Sequence, residues 1–138
     1  MRVLTFAAIL LAGCASTSQP RSFAVQVFEQ RGQYRQSSVS GQHAFMVRLT
    51  NRSEESIGLD SLSVEPQTTS VQFYENEQAV DDIIEPGETR DFTMWVSVNA
   101  VSMNYVYTID SVDVIVAGHS ATRGNFTERL GCVVNTSQ

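Results

Sequence analysis

Residues 84–98 read Ile84-Glu85-Pro86-Gly87-Glu88-Thr89-Arg90-Asp91-Phe92-Thr93-Met94-Trp95-Val96-Ser97-Val98, and this stretch decides the fold. Pro-Gly between acids is turn chemistry, because proline presets one backbone angle and glycine supplies the conformation that other residues avoid. Phe92, Met94, Val96 and Val98 then alternate with other residues at a period of two, the repeat of a strand that buries one face. Thr93, Trp95 and Ser97 fall on the opposite face.

The same period recurs on both sides of this stretch. Upstream it is seen in Phe23, Val25 and Val27; in Phe45, Val47 and Leu49; in Ile57 with Leu59; in Leu62 with Val64; and in Val71 with Phe73. Downstream it is carried by Tyr105, Tyr107 and Ile109, then by Val112, Val114 and Val116. The parity changes between Ile109 and Val112, so a bulge near Asp110-Ser111 would let one strand hold both runs. Turn chemistry separates the runs at Arg31-Gly32, Ser40-Gly41, Asn51-Arg52-Ser53, Glu85–Glu88, Ala117-Gly118 and Gly124-Asn125. Only Glu75–Ile84 offers an alternative, with Val80, Ile83 and Ile84 on one side of a short helix or in a loop. Short strands at this cadence predict an all-β chain, an antiparallel β-sandwich of seven or eight strands.

The N-terminus sets the location. Arg2, the apolar run Val3 to Leu11 and the small residues Ala12 and Gly13 follow the order of a secretory signal, and the run is too short to span a bilayer. Leu11-Ala12-Gly13-Cys14 resembles the lipobox of bacterial prolipoproteins. That resemblance implies a diacylglyceryl group on the Cys14 sulfur, acylation, and cleavage before Cys14. Ala15 after the cysteine, rather than aspartate, implies sorting to the outer membrane, with the domain facing the periplasm. Ordinary cleavage after Ala15 and an uncleaved anchor helix are the competing readings. The expected organisation is a signal peptide over 1–13, a lipidated polar tether over 14–21, and a β-sandwich over 22–138.

Two segments are also similar to immunoglobulin-like sandwiches of bacterial envelope proteins: Phe45 to Asn51, a strand ending in a polar turn, and Ile84 to Phe92, a turn leading into a strand. The outline is similar to water-stress-type (WHy) lipoproteins as well, with Asn51-Arg52-Ser53 where that family has Asn-Pro-Asn. Both likenesses imply a fold and leave function open.

Charge is uneven. Residues 21–52 carry five arginines against Glu29, whereas residues 53–91 carry eleven acids against Arg90 alone. The chain has no lysine and a net charge of −6, which argues against nucleic acid as a partner. The acidic middle reads as solvated surface or as a docking face for a basic partner or cation, with Asp81, Asp82 and Glu85 at its centre.

Sites of chemistry are sparse. His43 and His119 flank glycine turns and read as exposed loop residues, and no paired histidine or cysteine motif provides a zinc site. Asp81-Asp82 with Glu85 lacks the spacing of a calcium loop, and no serine sits in a nucleophile elbow. No cofactor and no catalytic set is expected. With Cys14 lipidated, Cys132 would be the lone thiol, buried in the apolar run Leu130 to Val134. Trp95, facing away from the core, is the candidate anchor for a partner. The expected role is a non-catalytic, membrane-anchored module that binds or scaffolds an envelope protein. Binding of a lipid, glycan or cation is the alternative.

Overall fold

The computed structural model describes residues 22–36, 41–69, 71–100 and 109–137, and among them every regular element is a strand. The chain runs β1 (Phe23–Gln36), β2 (Gly41–Asn51), β3 (Ile57–Pro66), β4 (Val71–Tyr74), β5 (Glu77–Ile84), β6 (Thr89–Ala100), β7 (Ser111–Ser120) and β8 (Gly124–Ser137). They form one mixed sheet in the order β4-β6-β2-β1-β8-β7-β3-β5, curled into a half-barrel. Neighbours are antiparallel except β1 and β8, which run parallel from Val27 opposite Val134 to Gln30 opposite Ser137. The expectation of an entirely antiparallel arrangement is corrected at this pair, where the first and last strands meet.

The curl brings two apolar faces together. Val25, Val27, Phe45, Val47, Leu49, Met94, Val96 and Val98 line one half; Leu59, Leu62, Val64, Val112, Val114, Val116 and Leu130 line the other, all of them buried. Each set follows the alternation that marks these strands, so removal of apolar surface from water selects the register.

Four local expectations are corrected. Glu77–Ile84 is a strand rather than a helix or loop, because it pairs along β3 from Ile57 opposite Ile84 to Ser63 opposite Glu77. The parity change after Ile109 is a strand boundary, not a bulge: β7 starts at Ser111, and the Asp110 carbonyl accepts a bond from the Val134 N–H. Tyr105 and Tyr107 lie outside the described residues. A bulge does occur in β3 at Asp60, where the register slips between Leu59 and Ser61 against both neighbours. It lets Ile57 and Leu59 on one side, and Leu62 and Val64 on the other, all reach the core. Finally, Arg31-Gly32 and Ala117-Gly118 are not turns but lie inside β1 and β7.

One end of the half-barrel gathers Ser22 and the turns at 52–56, 85–88 and 121–123. Asn51, fully buried, joins them. Its Nδ2 donates to the Glu55 and Ile84 carbonyls (both 2.9 Å), and its Oδ1 accepts from the Ser53 N–H (2.9 Å) and hydroxyl (2.7 Å). Its backbone bonds to Glu88 and Gly87, and Gly87 holds the positive φ of 77° that the Pro86-Gly87 turn requires.

Candidate functional site

The acidic residues of the middle segment collect on and beside β5, an outer strand of the sheet. Asp81 is exposed and holds a left-handed backbone (φ 51°) where β5 passes the β3 bulge. Asp82 accepts from Arg90 of β6 and from the Ile83 N–H (2.9 Å). The Arg90 guanidinium, then the Ile83 N–H, hold the Asp82 carboxyl below the usual carboxylate range. Glu85 accepts from the Ser56 hydroxyl. Asp81, Asp82 and Glu85 therefore lie along one edge, with Asp82 and Glu85 already engaged within the chain. Ile83, 56% exposed, stands among them.

Trp95 lies in β6 on the face opposite Met94 and Val96, half-buried, and directly across from Ala44 of β2. Ala44 is fully buried although it faces outward, as is Ser97 for the most part. This face belongs to the β4-β6-β2-β1 half, so Trp95 and the β5 acids occupy different parts of the sheet. The structure does not assemble the four residues into one site.

Both histidines sit on strands, which corrects their reading as loop residues. His43 of β2 is half-buried, with Nδ1 3.2 Å from Glu29 Oε1. His119 of β7 is more exposed, with Nδ1 3.0 Å from Asp60 Oδ1 at the β3 bulge. Its ring lies against Gly58, where an added Cβ would meet ring atoms at 2.2 Å. Each is a histidine–carboxylate pair. Among the described residues no group of three or more His, Cys, Asp or Glu side chains is placed to hold a metal ion.

Cys132 is buried as expected but is disulfide-bonded, which corrects its reading as a lone free thiol. The chain's other cysteine is Cys14, outside the described residues.

Two features had no sequence signal. A hollow of about 420 Å³ opens over Gly131, walled by Arg129, Asp113, Gln67 and Val133. Its polar groups are tied to one another: Gln67 Nε2 donates to Asp113 (2.7 Å), and Arg129 bonds Asp113 (3.0 Å) and Glu65. The second is Glu128, buried on the inner face beside Val116. Its carboxylate accepts from the Ser22 N–H (3.0 Å) and from Arg123 (2.7 Å), fixing the point where the described chain begins.

No protein-family model matches the chain, and no curated protein matches it. Among solved structures it is similar to a FixG-related protein from Vibrio parahaemolyticus, at 12% identity and a TM-score of 0.45, covering 86% of this chain and 100% of that one. It is similar also to the copper-bound PCuAC domain from PmoF2, at 12% identity and a TM-score of 0.45, covering 92% of this chain and 100% of that one. At that level of superposition neither likeness bears on what this chain binds.

Proposed function

We propose that this chain is a bacterial envelope lipoprotein: a non-catalytic binding module tethered through Cys14 to the outer membrane, facing the periplasm, that docks a protein partner on its acidic β5 edge. The observation that carries this reading is Leu11-Ala12-Gly13-Cys14 at the end of a short apolar run, followed by a polar linker that meets an all-β domain at Ser22. A single acyl chain binds membranes only marginally, so several chains on Cys14 would hold the domain in place. Asp81 and Ile83, both exposed on the outer strand, supply charge and apolar surface to a basic partner. We read the curled sheet, further, as an immunoglobulin-like sandwich. What supports this is the division into β4-β6-β2-β1 and β8-β7-β3-β5 around one core.

Lipidation has a chemical rival. A sulfur carrying diacylglyceryl is a thioether and cannot also form a disulfide, so Cys14 cannot be at once the lipid anchor and a disulfide partner of Cys132. The test is the intact mass of protein purified from membranes, with thiol titration after denaturation, for wild type and Cys14→Ser. A chain starting at Cys14 with acyl mass, its Cys132 not oxidised to Cys14, is expected. An unacylated chain, or one with Cys14 and Cys132 oxidised together, would overturn the reading. Crosslinking in membranes then tests the edge: charge reversal at Asp81 and Asp82 is expected to lose the partner.

A further inference from the structure

Ser22 is held on three sides. Its N–H donates to the buried Glu128 carboxylate (3.0 Å), its carbonyl accepts from the Arg52 N–H (2.8 Å), and its hydroxyl accepts from Arg123. β1 starts at the next residue and runs fourteen residues to Gln36, about 45 Å at the rise of a strand. The eight residues from Cys14 to Arg21 therefore join the domain at one fixed point. That point lies at the end of the half-barrel that also holds the turns at 52–56, 85–88 and 121–123.

We infer, on the lipid-anchored reading proposed above, that this end of the half-barrel is the face the domain turns to the membrane, and that the headgroup layer it fits is zwitterionic. Eight residues span at most about 28 Å fully extended and about 16 Å as a flexible chain, both shorter than β1. Ser22 thus stays near the headgroups, and the opposite end, with Thr69 beyond β3, reaches them only if the domain lies on its side. Charge opposes that posture. The chain has a net charge of −6, and Glu77, Asp81 and Asp82 run along the β5 side, so lying flat brings further acids to a bilayer whose surface potential is negative. The Ser22 end is acidic as well. Its turns carry Glu54, Glu55, Glu85 and Glu88 against Arg52 and Arg123, and Arg123 is paired with Glu128 (2.7 Å). Anionic headgroups are repelled there, whereas zwitterionic ones carry no net charge to repel. The domain then stands on end over the bilayer, with β5 rising from the surface along its side.

Energy transfer to lipids measures this posture. Protein purified from membranes is reconstituted into vesicles whose headgroups carry an acceptor. A donor dye is placed on Ala121→Cys, exposed at the Ser22 end, or on Thr69→Cys, exposed at the other. A thioether at Cys14 does not react with the dye, and Cys132 is buried. In phosphatidylcholine vesicles, transfer from residue 121 is expected to exceed that from residue 69 about twofold or more, because the ten residues of β3 separate the two ends by about 33 Å. With anionic lipid at low salt the label at residue 121 is expected to recede and to return at high salt. Glu54→Gln combined with Glu85→Gln is expected to shrink that response. Equal or greater transfer from residue 69, or a label at residue 121 drawn closer by anionic lipid at low salt, would overturn the inference. Failure of the anchor itself reads differently: protein without acyl mass does not float with the vesicles and gives no transfer from either site, which removes the inference together with the reading beneath it.

Discussion

Two glycines at one strand crossing show how differently a missing side chain can be used. At Gly118 an added Cβ would come within 2.7 Å of the Gly58 carbonyl oxygen, a backbone atom held by its own strand. At Gly58 the added carbon would meet the His119 ring at 2.2 Å, but that ring ends an exposed side chain that can swing into water. Gly118→Ala is therefore expected to destabilise by about 2 kcal/mol through overpacking. Gly58→Ala is expected to cost less than about 1 kcal/mol and to break the His119–Asp60 contact. Urea midpoints of the two variants measure the difference, and equal losses would sink the argument. In the sequence Gly118 looks like a turn beside Ala117, since nothing local distinguishes a glycine that bends the chain from one that lets two strands approach. Asn51 is the converse case: its place at a strand end was legible, but its burial between two turns depends on residues thirty positions away.

β5 was the element hardest to read in advance. Its apolar residues come in adjacent pairs, Ala79-Val80 and Ile83-Ile84, rather than alternating, so its strand conformation comes from pairing with β3 rather than from its own pattern. The irregularity at Asp81 and the acids around it also blunt an outer strand against pairing with other chains. A left-handed conformation at a residue with a Cβ costs about 1–2 kcal/mol, while glycine gives part of that back as lost chain entropy. Asp81→Gly is thus expected to raise stability by about 0.5–1 kcal/mol, and Asp81→Asn to change it little. Thermal melts of both variants check this. A stabilised Asp81→Asn would mean that crowded negative charge, not backbone strain, dominates there. β6, by contrast, was legible in full, because its alternation is uninterrupted and a Pro-Gly turn marks its start.

Across the molecule, ion pairs and hydroxyl contacts link parts that the core alone does not. Arg90 on β6 reaches Asp82 on β5, joining strands from the two halves of the sheet. The Arg48 guanidinium lowers the Asp91 carboxyl, and the hydroxyls of Ser120 and Thr122 lower Glu55, which ties two turns together. Both carboxyls, like Asp82, bind fewer protons folded than unfolded, so their contribution is complete above the ordinary carboxylate range and fades as pH falls below it. Stability is expected to be flat near neutrality and to decline through the acid range. Arg90→Ala should flatten that decline, and unchanged slopes in urea titrations across pH would refute it. The sheet order was not legible, since alternation names the buried face of each strand and says nothing of its neighbours. The adjacency of β1 and β8 has a kinetic corollary. β1 must wait for β8 before either is fully paired, so the fold stays open until the two strands farthest apart in sequence meet. Folding then becomes a late, slow event, timed by the closing of this one parallel pair rather than by any of the hairpins.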